Sequence, residues 1–186
     1  MKDFLELKHF EEFNNSKVHK SLKLTSKDDS KIPAEYMTQL KTRVIDFDDV
    51  KKFYLQKYEI CEDNAKSVDA LYKLDDRICM TEFKNGDFTS GEIVEKALSS
   101  AMMFMDITGC SLSEFRKKSL FVLVYNKDEK RVESRQLSAY YKSKQSRGRY
   151  SIFRLDHLWD FCFSEVKEIE KQEFDQSKYA KNIIAY

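Results

Sequence analysis

The chain has 186 residues, about one domain's worth, and its 41% hydrophobic and 13% aromatic content excludes global disorder and fibrous classes. Its 33 Lys and Arg nearly cancel 32 Asp and Glu, so no whole-molecule field recruits nucleic acid or an acidic membrane, and any basic partner site must be local. Four glycines and one proline exclude Gly/Pro-rich low complexity.

The longest apolar stretches, 101–105 and 120–125, are far short of the ~18 residues a transmembrane helix needs. The N-terminus scatters acids through an amphipathic pattern and lacks the apolar region of a signal peptide. Four cysteines at 61, 79, 110 and 162 are too far apart for CxxC pairing. They read as reduced core thiols of a cytoplasmic protein.

In chain order, residues 2–13 place Phe4, Leu5, Leu7 and Phe10 near helical spacing, which predicts a short amphipathic helix. Residues 14–31, rich in Ser, Lys and Asp, predict a connection with a short strand at 18–24. Pro33, with Ser30 as a cap, predicts a helix over 34–44, and Asp46, Asp48 and Asp49 start another over 50–58. From Ser67 the period changes to two, predicting strands at 67–74 and 77–84 joined by Asp75-Asp76. The capping-box spacing of Thr89 and Glu92 then opens a helix through Met105 that ends near Gly109. Residues 120–125 (LFVLVY) read as a strand buried on both faces, parallel to 77–84 because a helical crossover precedes it. A strand at 150–155 and a last helix over 157–174, capped by Asp156, complete the prediction.

Several familiar motifs fail. Gly86 and Gly91 have Walker A spacing, but Glu92-Ile93 stands where the phosphate-binding Lys and Ser/Thr belong. No GxGxxG, GxSxG or HExxH occurs, and His9, His19 and His157 lack ligand spacing. Asp156-His157 reads as a helix cap and a histidine, not as part of a triad.

The surviving constellation is Glu82-Phe83-Lys84. Two other ExK tripeptides, at Glu6 and Glu165, fall in predicted helices, whereas Glu82 and Lys84 share one face of a predicted strand. A hairpin turning at Asp75-Asp76 sets Leu74 opposite Arg77, Leu71 opposite Met80 and Asp69 opposite Glu82. Cross-strand carboxylates with Cβ atoms ~4.5–5.5 Å apart repel each other, so something cationic should sit between them. Lys84 is a partial answer, and a divalent metal a fuller one, since Mg²⁺ takes carboxylate oxygens and keeps waters that can be activated. An edge-strand cluster of solvated charges is the plainer alternative.

Asp69-x12-Glu82-x-Lys84, on a hairpin followed by a helix and an apolar strand, resembles the PD-(D/E)XK nuclease superfamily over about residues 35–126. The resemblance implies an α/β restriction-endonuclease-like core: a helix, a three-stranded meander, a helix and a further strand in a mixed central sheet flanked by helices. Residues 2–13 and 150–175 would extend that core within one domain. It also implies that Asp69 and Glu82 bind Mg²⁺ or Mn²⁺, that the Phe83 carbonyl is a further ligand and that Lys84 is the catalytic lysine. Glu35 is the candidate for the acid often supplied by the first helix, with Glu59 behind it. Val68 stands where the motif has proline, and no QxxxY follows the ExK.

A second feature is the stretch 134–154, which holds Arg135, Lys142, Lys144, Arg147, Arg149 and Arg154, interleaved with Tyr140, Tyr141 and Tyr150, and no acid. Such a segment suits phosphate contacts and stacking on unpaired bases, although a solvated loop with core tyrosines would read the same way. Together these features lead to a metal-dependent nuclease acting on DNA or RNA by metal-activated water. The alternative is a non-catalytic module binding nucleic acid or protein on a nuclease-like scaffold.

Overall fold

The computed structural model describes residues 18–128 and 151–184. The predicted helix over 2–13 and the basic residues Arg135 to Arg149 lie outside the described residues, as does Tyr150.

The centre is a sheet whose strands run β1 (His19–Ser21), β4 (Arg43–Asp46), β5 (Ala70–Leu74), β6 (Arg77–Lys84), β7 (Ser119–Tyr125) and β8 (Glu165–Glu170). A short β9 (Ile183–Ile184) pairs with β5 beyond the point where β4 leaves it. β2 (Lys27–Asp28) and β3 (Glu35–Tyr36) form a separate two-stranded ribbon. Pairing is antiparallel from β1 to β6 and parallel across β6, β7 and β8, which makes the sheet mixed and mostly antiparallel.

The hairpin has the predicted register, with Leu74 opposite Arg77 and Leu71 opposite Met80. The turn closes because Asp75 takes a left-handed conformation at φ 54°, which Asp tolerates better than most residues. β7 is buried along its whole length, as a continuous apolar run requires. It lies parallel to β6, with Glu82 beside Leu123 and Lys84 beside Tyr125.

Helices cover both faces. On one lie α2 (Phe47–Lys57), α3 (Ser90–Thr108) and α4 (Leu112–Lys118), which add Phe47, Val50, Ile93, Ala97, Phe104 and Phe115 to the core beneath Leu71, Met80 and Phe121. On the other, Leu22 of α1 (Leu22–Thr25), Phe174 of α5 (Lys171–Phe174) and Tyr179 of α6 (Lys178–Lys181) pack on Tyr72, Cys79 and Val122. α3 begins with a complete Thr89/Glu92 capping box and ends on Gly109 at φ 69°. No helix among the described residues is long and apolar enough to cross a membrane.

Four expectations are corrected. The predicted helix over 34–44 is instead β3, an extended stretch and β4. Its intended cap is spent, since the Ser30 hydroxyl donates to Asp28 at 2.6 Å, and the Leu40 and Thr42 carbonyls accept from the first amides of α1. Tertiary hydrogen bonds thus override helix propensity. Residues 18–24 hold a strand only to Ser21, whose side chain caps α1 by accepting from Leu24 N–H. The expected strand over 150–155 is a turn at its described residues, 151–155, with Arg154 at φ 59°.

The predicted helix over 157–174 is a 3-10 turn, the strand β8 and the short α5. Val166 and Ile169 have helical spacing, but as strand residues they serve the two opposite cores. α4 was not anticipated at all. Among the cysteines, Cys79 and Cys162 are buried as expected, whereas Cys61 is exposed.

Candidate active site

Asp69 immediately precedes β5 and is fastened on both sides. Its N–H donates to the Thr81 carbonyl at 3.1 Å, and its carbonyl accepts from Phe47 N–H at 3.2 Å. Its carboxylate Oδ2 accepts from Phe83 N–H at 2.6 Å, so the side chain spans the strand beside Glu82. Glu82 has no exposed surface. One of its oxygens, Oε1, lies 2.6 Å from Lys96 Nζ and 3.5 Å from Lys84 Nζ. The other, Oε2, is buried with no hydrogen-bond partner.

Lys96 reaches this pair from α3, and its Nζ is also 3.9 Å from Asp69 Oδ1. The helix is held there by Ser100, one turn on, whose Oγ accepts from the Val68 N–H at 2.9 Å, next to Asp69. Asp48, at the start of α2, adds negative potential on Asp69, Glu82 and Lys96 and accepts from the Ser67 hydroxyl at 2.5 Å. Asp69, Glu82 and Asp48 therefore all favour the charged form of Lys96, and Glu82 also meets the ammonium of Lys84.

Burial pushes the Asp69 carboxyl well above the usual carboxylate range; the Glu82 charge adds to this and Lys96 opposes it. Burial also raises Glu82, against the pull of Lys96 and Lys84. For Lys96, burial disfavours the charged form, but Glu82 and Asp69 outweigh it and hold the ammonium above its ordinary value. The physical picture is a Lys96–Glu82 ion pair with Asp69 beside it, both carboxyls raised and Lys96 opposing the rise in each.

The predicted residues divide. Asp69, Glu82, Phe83 and Lys84 are brought together, and Asp69, Phe83 and Lys84 line a cleft of about 430 Å³ with Lys27, Asp28 and Asn85. A neighbouring cleft of about 360 Å³ runs from Asp69 past Lys27 to Lys20, Asp46 and Asp48. Glu35 is not part of the pair. It lies on β3, where it accepts from Asn85 at 3.0 Å and meets Lys171 at 3.5 Å. Glu59 is exposed just past α2.

The Glu165 ExK also lies on a strand, β8, so strand context alone does not single out Glu82. What differs is the company each keeps. Glu165 accepts from Arg77 at 2.6 Å and from the Tyr179 hydroxyl at 2.5 Å, while Glu82 faces a second acid. Lys96, Asp48 and Asn85 were missed by sequence reasoning. For Lys96 a signal existed: it sits three residues after buried Ile93 and four before buried Ser100, on the stripe α3 turns to the sheet.

Among the described residues, no three Asp, Glu, His or Cys side chains gather as a metal-binding group. The donors at hand are two carboxylates and the Phe83 backbone. The Phe83 carbonyl points to the same strand edge as its N–H, toward Asp69, because both backbone groups of a strand residue face one neighbour. Such a set fits a hard cation that keeps several waters, and the unsatisfied Glu82 Oε2 is an acceptor suited to one.

Compared with known proteins, the chain matches no family model, no curated sequence and no solved structure.

Proposed function

We propose that the chain is a metal-dependent nuclease that hydrolyses phosphodiester bonds of DNA or RNA, on a restriction-endonuclease-like variant of its mixed sheet. The observation that carries this reading is the Asp69–Glu82 pair: half-buried Asp69 lines a cleft with Lys84 and Lys27, and fully buried Glu82 behind it keeps one carboxylate oxygen unsatisfied. In an open sheet of this kind, the C-terminal ends of parallel strands are the favoured ligand edge, and Glu82 and Lys84 close β6 at that edge.

Asp69, Glu82 and the Phe83 carbonyl hold Mg²⁺ or Mn²⁺, which supplies Lewis-acid polarisation and a water of lowered pKa. Lys84, which lines the cleft with its ammonium 3.5 Å from Glu82 Oε1, stabilises charge gathering on the phosphate. Phe83 N–H orients the Asp69 carboxylate.

Asn126 N–H donates to the Lys84 carbonyl at 3.0 Å and the Ser151 hydroxyl donates to Glu168 at 2.5 Å, so the described residues on either side of 129–150 are tied to this sheet. Glu82, Leu123 and Glu168 form one row across β6, β7 and β8. Arg135, Lys142, Lys144, Arg147 and Arg149 would then contact phosphates, and Tyr140 and Tyr141 would stack on bases, in a cytoplasmic setting.

The test is cleavage of single- and double-stranded DNA and RNA by purified protein with Mg²⁺ or Mn²⁺, beside Lys84→Ala and Asp69→Asn. Lys84→Ala should lose at least about tenfold in rate with little change in metal affinity, and Asp69→Asn should weaken metal binding. Retention of full activity by Lys84→Ala would overturn the assignment. One observation favours a second reading, a non-catalytic module that binds nucleic acid or protein: Lys96 already supplies a cation to both carboxylates. No cleavage of any substrate, together with nucleic-acid binding that needs no metal, would select that reading.

A further inference from the structure

A buried carboxylate, Glu82, beside a half-buried one, Asp69, requires positive charge, and the chain carries its own. Lys96 Nζ lies 2.6 Å from Glu82 Oε1 and 3.9 Å from Asp69 Oδ1, so one ammonium serves both acids. The lysine lies on the sheet-facing stripe of α3 between buried Ile93 and Ser100, a position where an uncharged residue would pack without desolvating a charge. Its placement therefore answers the acids and not the core.

We propose that Lys96 is a tethered competitor for the cation position between Asp69 and Glu82, so that divalent-metal affinity is set by how readily this ammonium gives the position up. The proposal rests on the metal-site reading above and adds a control on it. Like charges exclude each other: a dication drawn to Glu82 Oε2 or Asp69 Oδ1 meets the ammonium at the same carboxylates, and one of the two must withdraw.

Withdrawal is sterically open to lysine. Its ammonium is a compact charge on a flexible four-carbon stem, and the side chain is 21% exposed rather than sealed in. Lys84 stands 3.5 Å from the same oxygen and further from the acids' shared space, so it answers them less directly. The unsatisfied Glu82 Oε2 shows that one ammonium does not complete the coordination the pair offers. A site so poised binds metal weakly until Lys96 is displaced.

The experiment titrates Mn²⁺ and Mg²⁺ alone into the full chain by calorimetry, and follows metal-dependent thermal shifts, for wild type, Lys96→Met, Lys96→Arg and Lys84→Met. Lys96→Met should bind Mn²⁺ at least tenfold tighter than wild type, and its apo form should melt lower with a larger upward shift on adding metal. Lys96→Arg, which keeps the charge, should stay within about threefold of wild type, and Lys84→Met should gain less than Lys96→Met. If Lys96→Met fails to fold without metal, refolding in Mn²⁺ but not in its absence supports the proposal, and failure in both overturns it.

The outcomes also separate this proposal from the reading beneath it. Metal binding by wild type with no gain in Lys96→Met overturns the competitor alone. Binding only by Lys96→Met upholds the competitor and overturns a metal-dependent wild-type enzyme. No binding by either overturns both.

Discussion

Asn85 shows how single side chains hold the cleft in shape. Its Nδ2 donates to Asp28 at 2.9 Å and Glu35 at 3.0 Å, and its Oδ1 accepts from Asn126 Nδ2 at 2.8 Å. Both acids are held below the ordinary carboxylate range, with Ser30 leading at Asp28 and Asn85 leading at Glu35. Asn85→Asp would replace a donor with a third carboxylate, whereas Asn85→Ala only removes the bonds. Urea denaturation at neutral pH should show Asn85→Ala destabilised by ~1–3 kcal/mol and Asn85→Asp by more. The gap should narrow in acid as the carboxylates protonate. Equal losses at both pH values would remove charge from this account. At this scale Asp69 beside Glu82 was legible because a two-residue turn fixes cross-strand partners. Lys96 and Asn85 were not, because the first meets the acids only through the packing of α3 on the sheet. The second joins segments that are distant in sequence.

Elements transmit that geometry. The Ser100 hydroxyl ties α3 to the start of the hairpin beside the Lys96 ion pairs, and it satisfies a buried amide. Ser100→Ala leaves the Val68 N–H without that partner, and chemical denaturation should register a loss of ~1–3 kcal/mol. Because Val68 precedes Asp69, the same substitution should weaken Mn²⁺ binding, measured by calorimetry. By contrast Thr89→Ala, which removes the cap of α3 for about 1 kcal/mol, should leave metal binding unchanged. A matched effect of both variants on metal would mean that α3 acts as a whole and not through Ser100. The hairpin, α3 and β7 were readable because period, caps and a long apolar run agree with one another. Residues 34–44 and 157–174 misled because their start signals, Pro33 behind Ser30 and Asp156, are local, whereas their polar groups and apolar faces are claimed by partners far along the chain.

At the level of the molecule, Glu168 anchors the return of the chain at 151–153, accepting from Ser151 Oγ and from the N–H groups of Ile152 and Phe153. Burial raises its pKa above the ordinary value, with these bonds opposing. A raised acid binds its proton more tightly in the folded state, so this group's contribution is greatest below the ordinary value of 4.5 and declines as pH rises through the folded one. Glu168→Gln should abolish that decline, whose slope is at most about 1.4 kcal/mol per pH unit for one proton. Denaturation midpoints of both proteins from pH 4 to 7 test this, and parallel curves would refute it. Replacing Lys142, Lys144, Arg147 and Arg149 together with Ala should lower the log–log salt slope of nucleic-acid binding by roughly three units. A fall near one would mean that most of these residues only face solvent.

The pairing of Lys73 with Ile184 and of Leu74 with Ile183 has a consequence for how the protein is made. During vectorial synthesis the hairpin emerges early, and the edge of β5 beyond β4 waits for a strand that leaves the ribosome much later. Until then it displays unpaired amides and carbonyls, the state most prone to edge-to-edge association. Such distant closure is slow, and the nascent chain would depend on chaperone shelter in proportion to that delay.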